Sequence, residues 1–179
     1  MQNIVFTFVG DDKAGLVEHI AERVAEHQGN WLESRLAQMA GKFAGIVTVA
    51  IDDKNAESLL QALATLADTG LTVVAERSGA QSSAVRHNSA ALKILGNDRP
   101  GIVHEISAAL ATLQINIQEL SSEVQSAPMA GIPLFAATIA IDLPAHAKLA
   151  QLHENLQEAA EHLDIDIQLD LSDGAETTP

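Results

Sequence analysis

Two stretches of this chain carry the residue types best suited to binding chemistry, and they are nearly the same stretch. GDDKAGLVEHI occupies residues 10–20 and GNDRPGIVHEI residues 96–106. In each, an Asp precedes a Gly by three residues, Asp12 with Gly15 and Asp98 with Gly101, between an apolar run and a helical pattern. An Asp carboxylate can accept hydrogen bonds from the N–H groups of its own turn. The helix beyond offers N–H groups without intrahelical partners and a positive dipole end, which together suit a carboxylate ligand. Pro100 disfavours helix at Arg99 and suits the first helical position. Gly101 lets the backbone approach a neighbour, or the helix pack close to the strand. The same residues also make an ordinary strand-to-helix turn. Their duplication does not separate the two readings, because a duplicated fold repeats its caps.

Asn30 and Asn116 add a second element. Each opens the strand after the first helix of its half, behind Gly29 or Ile115. An Asn side chain donates and accepts, which suits the ammonium and carboxylate of an α-amino acid. It is equally at home as a loop residue in the left-handed region. The spacing places each Asn away from the turn of its own half, and free to approach the turn of a neighbouring copy.

Other reactive types do not assemble into a motif. Seven histidines are present, with neither an H-x-x-x-H pair nor an HExxH. His146 and His153 read as one solvated helix face. There is no nucleophile elbow, P-loop or G-x-G-x-x-G. Ser121 and Ser122 read as strand residues. Asp11–Asp12 and Asp52–Asp53 fall at turns, where Asp serves the backbone. Trp31 reads as packing or as a pocket wall. No catalytic residue, cofactor or metal is expected.

The elements that must position the two turns follow from a duplication. Gly10, Asp12, Gly15, Val17, Asn30 and Glu33 recur 86 residues later as Gly96, Asp98, Gly101, Val103, Asn116 and Glu119. MAG at 39–41 and AID at 50–52 recur 90 residues later, at 129–131 and 140–142. A four-residue insertion near VQSAPMAGIP reconciles the offsets. Each half opens with a strand (4–10, 91–96). A helix follows, marked by Leu16, Ile20 and Val24 or by Ile102, Ile106, Leu110 and Leu113. Two strands come next (30–38 and 43–51; 116–124 and 134–141). The second helix carries Leu59, Leu60, Leu63 and Leu66, or Leu149, Leu152, Leu156 and Leu163. A last strand closes each half (71–77, 165–171). The order predicts an α+β chain of two ferredoxin-like βαββαβ domains, each an antiparallel four-stranded sheet with two helices on one face. The expected boundaries are 1–77 and 90–171, with a small-residue linker at 78–89 and a flexible acidic tail at 172–179.

Composition narrows the class. The 179 residues are 47% hydrophobic but only 3% aromatic, so aliphatic side chains must build the cores. With no cysteine, disulfides and thiolate metal sites are excluded. No apolar run approaches the roughly 18–20 residues that span a bilayer, and the N-terminus lacks the marks of a signal peptide. A cytoplasmic protein without membrane contact is expected. The net charge of -14, with 10 scattered Lys and Arg, argues against direct nucleic-acid binding.

GNDRPGIVHEISAALATLQINIQEL resembles an ACT domain, a small-molecule-sensing ferredoxin-like module. The first half resembles it more loosely, with Lys13 and Ala14 in place of Arg and Pro. NWLESRLAQMAGKFAGIVTVAI is similar to the group within that family built of two ACT domains alone, which regulates transcription of glycine cleavage genes. The resemblance spans about residues 3–171. It implies an effector, glycine or another amino acid, held at a domain or subunit interface. By it, the contacts would be Asp12, Lys13, Ala14, Gly15 and Asn30 in the first half, and Asp98, Arg99, Pro100, Gly101 and Asn116 in the second. It further implies a non-enzymatic regulator that forms a homodimer and acts through a transcriptional activator protein. The alternative is a scaffold that kept the fold, lost the ligand and serves protein association only.

Overall fold

A computed structural model describes residues 1–79, 88–126, 132–144 and 147–171. The chain divides into two compact units, Met1–Ser83 and Ala84–Pro179. Unit 1 runs β1 (Gln2–Asp11), α1 (Leu16–Glu26), β2 (Asn30–Met39), β3 (Lys42–Ile51), α2 (Asp53–Thr65), a 3₁₀ turn (Leu66–Thr69) and β4 (Thr72–Ser78). Unit 2 runs β5 (Asn88–Asn97), α3 (Ile102–Thr112), β6 (Asn116–Ser126), β7 (Pro133–Leu143), α4 (Leu149–Leu163) and β8 (Ile165–Leu171). The expected βαββαβ order therefore stands twice. Leu66 and Leu113 fall just past the helices assigned to them, and Leu149 is exposed at the start of α4.

Both sheets are antiparallel, in the orders β2-β3-β1-β4 and β6-β7-β5-β8. The strand leading into each turn is thus central, held by a neighbour on either side. Alternate residues of β1 (Ile4, Phe6, Phe8) and β5 (Ala90, Leu92, Ile94) are buried. They meet Ile20, Val24, Leu59 and Leu63 in unit 1, and Ile106, Leu110, Leu152 and Leu156 in unit 2. Both cores are mainly aliphatic, with Phe6 and Phe8 in unit 1 and Phe135 in unit 2 as aromatic members. The period of two that buries one sheet face leaves the other open. On that face unit 1 exposes Val9, Ile46 and Val74, whereas unit 2 carries Lys93 paired with Asp170 at 2.7 Å.

The register corrects one sequence inference. Gly10 pairs with Phe43 and Gly96 with Phe135, so β3 and β7 correspond at an offset of 92. Ile51 is matched by Leu143, and the two AID triplets are two residues out of step. A slip of two keeps every side chain on its own face, so hydrophobic pattern alone cannot detect it. The insertion is therefore six residues. Ala40 and Gly41, both at positive φ, close the two-residue hairpin of unit 1, while residues 127–132 join β6 to β7. The second MAG, most of the linker expected at 78–89 and the expected tail lie outside the described residues; Ser78 belongs to β4 and Asn88 to β5.

Candidate functional site

The two turns share one backbone design. Gly15 has φ 91° and Gly101 φ 104°, and each is the N-cap of its helix. A Cβ at Gly15 would meet nothing within 4 Å, and one at Gly101 only Glu105 Oε1 at 3.9 Å. Left-handed backbone therefore favours glycine at both positions, and within the protein Gly101 is not needed for tight packing of helix on strand. Pro100 lies ahead of the N-cap rather than at the first helical position, since α3 begins at Ile102. Each helix takes up its first backbone bond at once, His19 N–H to Gly15 O at 2.9 Å and Glu105 N–H to Gly101 O at 3.0 Å.

The aspartates act differently from expectation. Neither α1 nor α3 has a side-chain cap hydrogen bond. Asp12 and Asp98 instead use their backbone N–H groups, which donate to Gly41 O at 3.0 Å and Pro133 O at 2.9 Å. Those bonds fasten each turn to the start of the neighbouring strand. The carboxylates of Asp12 and Asp98 are left on exposed residues, as are Lys13, Ala14, Arg99 and Pro100.

Asn30 and Asn116 stand at the far end of their own sheets. Asn30 pairs with Ala50 and Asn116 with Asp142, near the ends of β3 and β7 that lie opposite the turns. Asp12 is anchored at Gly41, nine residues before Ala50 along the hairpin strand. At about 3.3 Å per residue, that is a separation of roughly 30 Å. Within one unit the turn and the Asn are not brought together.

Comparison with known proteins fits this geometry. The ACT-domain family profile matches residues 2–76. A UPF0237 protein of Methanopyrus kandleri is 38% identical over 79 residues, covering 44% of this chain and 81% of that protein. The glycine cleavage system transcriptional repressor of Escherichia coli is 27% identical over 158 residues, covering 87% of this chain and 80% of the repressor. A crystal structure of an unknown protein from Galdieria sulphuraria superposes with a TM-score of 0.80 at 29% identity, across 96% of this chain and 99% of that one. This chain is a tandem ACT-domain protein.

The two ACT turns are braced by different elements. In unit 1, Lys42 Nζ donates to Asp11 Oδ1 across the β1–β3 end, where the two residues are paired in register. That hydrogen bond, together with the charges of Lys42 and Lys13, holds the Asp11 carboxyl below the ordinary Asp range. The same register position in unit 2 joins Asn97 to Leu134, which cannot form an ion pair. There the brace comes from α4: Arg99 donates through Nη2 to the His162 carbonyl oxygen. Arg99 is thus engaged by its own unit and not held out as an unpaired ligand contact.

An open cleft of about 490 Å³ adjoins the unit 2 turn, lined by Gly96, Asn97, Leu134, Glu161, Asp164 and Ile165 among others. Motif reading missed Asn97, Glu161 and Asp164; the last two arrive from the end of α4 and its C-cap, more than sixty residues downstream. Trp31 is resolved as packing: its ring stands edge-on to Phe6, centroids 6.4 Å apart. Among the described residues, no group of three or more His, Asp or Glu is placed to hold a metal. No described helix is long and apolar enough to cross a membrane. His146 lies outside the described residues, and His153 is exposed.

Proposed function

We propose that this protein is an amino-acid-responsive regulator, with glycine or another amino acid as its effector. The observation that carries the reading is the doubled turn, left-handed Gly and all, in a chain that aligns with a glycine cleavage repressor across most of its length. Each turn leaves the N-terminal N–H groups of a helix without intrahelical acceptors, a fit for the effector's carboxylate. Asp12 or Asp98 offers a carboxylate for its ammonium, and Asn30 or Asn116 supplies an amide. Because an Asn stands far from the turn of its own module, a turn and an Asn that share one ligand come from different copies of the module. Lys13, Ala14 and Gly15, with Arg99, Pro100 and Gly101, shape the backbone between these groups.

The protein acts in the cytoplasm as a homodimer, on transcription of glycine cleavage genes, through a transcriptional activator rather than by gripping DNA. A net charge of -14 supports that indirect mode, since phosphate binding needs clustered cations. It is not an enzyme and needs no cofactor. Effector binding biases one arrangement of the protein over another, and so its affinity for the activator.

Calorimetric titration with glycine and the other amino acids tests this reading. One saturable heat in the wild type, lost in both Asp98→Ala and Asn116→Ala, is the expected result. Undiminished binding in both variants would overturn the site. No binding by the wild type, with an activator still captured, would favour a scaffold that retains only protein association.

A further inference from the structure

The unit 2 turn is held from both sides of its pivot, and both holds end on the same residue. Gly101 is the pivot, the left-handed residue at which the chain swings into α3. Two residues before it, Arg99 reaches the carbonyl oxygen of His162 at the end of α4. Four residues after it, Glu105 accepts a hydrogen bond through Oε2 from His162 Nδ1 at 2.8 Å. His162 sits in the last turn of α4, where carbonyl groups lack intrahelical donors and the dipole is negative. A guanidinium is well placed there. The Glu105 side chain is 33% exposed, more sheltered than the 74% exposed imidazole, so the carboxylate is the fixed partner.

Among the described residues unit 1 shows no such clasp, and a transposition in sequence explains why. Residues 18–20 read Glu-His-Ile where residues 104–106 read His-Glu-Ile. The Glu105 position is therefore His19, which pairs with Glu18 of its own helix at 3.7 Å. Strand register matches Val73 with Ile167, which places Asp68 at the His162 position.

We infer that Glu105 and His162 are positioning residues of the unit 2 turn: with Arg99 they clasp the Asp98–Gly101 backbone to the end of α4, and so set its effector response apart from that of unit 1. This rests on the turn being an effector site, as proposed above. Exposed pairs of this kind add little to global stability. The clasp therefore acts on the pose of the turn and not on whether unit 2 folds.

Amide hydrogen exchange at Asp98 in the full chain tests it, because that N–H lies on the turn and donates to Pro133 O, a bond to which neither substituted side chain contributes. Glu105→Ala and His162→Ala should each speed its exchange about threefold, with the melting midpoint nearly unchanged, while Glu105→Gln, which keeps an acceptor, should restore most of the protection. His19→Ala should leave exchange at Asp12 unaltered. In parallel, the glycine concentration giving half the thermal shift should rise in Glu105→Ala and not in His19→Ala. Unchanged Asp98 exchange in both alanine variants would overturn the clasp, as would Glu105→Gln behaving like Glu105→Ala. If the wild type shows no thermal shift with any amino acid, the effector reading fails, and the exchange data still decide the clasp.

Discussion

The turns at residues 12–15 and 98–101 have almost the same backbone and different supports. Both hang from a central strand, both pass through a left-handed Gly, and both donate the Asp N–H to the neighbouring strand. Yet unit 1 is braced along its hairpin by Asp11 and Lys42, and unit 2 across to α4 by Arg99. A duplicated module can thus keep its geometry through backbone demands, which few residues meet, while exposed side-chain braces drift to whatever lies in reach. The shared feature is what a common ligand would recognise. The differing feature is where the two responses can diverge.

The strongest way to break the comparison is at the strand ends that launch the turns. A Cβ on Gly96 would come within 2.4 Å of Ile165 Cγ2 and 2.9 Å of its Cα. On Gly10 the nearest atom is Leu71 Cδ2 at 2.5 Å, the far end of a movable side chain. Gly96→Ala should destabilise its unit by about 1–3 kcal/mol, and Gly10→Ala by less, as read by denaturant midpoints. Equal losses would show that the two strand ends are equally rigid, against this account.

A smaller effect should be common to both units. Gly15→Ala and Gly101→Ala each force a side chain into the left-handed region, at a cost of about 1–2 kcal/mol. Because neither site has a steric neighbour, the two losses should agree closely. A cost in only one unit would mean that the backbone design is not shared.

The smallest effect depends on pH. The folded Asp11 carboxyl titrates below its ordinary range because Lys42 hydrogen-bonds its charged form. Such a group stabilises the fold above the unfolded Asp value, near 3.9, and the contribution fades as pH falls through the lower folded value. Lys42→Gln should therefore lower the unit 1 midpoint slightly at neutral pH and not at all in strong acid. Leu134→Gln, at the matching position of unit 2, should produce no such pH-dependent difference.

The parts legible in sequence were those encoded locally. Period-two burial in β1 and β5, the i, i+4 apolar residues of α1 and α3, and the recurring Asp and Gly gave the order of elements and the location of both turns. The six-residue insertion was not legible, because moving β7 by two residues preserves its buried face. Pro100 marks the turn, but it precedes the cap instead of opening the helix, since Gly101 is the N-cap and α3 begins at Ile102. The brace was invisible for a different reason: Arg99 and His162 are 63 residues apart, and their contact uses a backbone oxygen that carries no residue signature. The pattern suggests Asp12 and Asp98 carboxylates accepting from their own turns, whereas in the fold their backbone N–H groups donate to Gly41 and Pro133 across the hairpin.

The proposed regulation requires that an amino acid bind the folded protein. Thermal melting of the wild-type chain against the twenty amino acids tests it most directly, because a ligand that binds only the native state must raise the midpoint by mass action. A saturable rise with glycine, or with one or two other amino acids, is the predicted result. A panel flat at millimolar concentrations would contradict it.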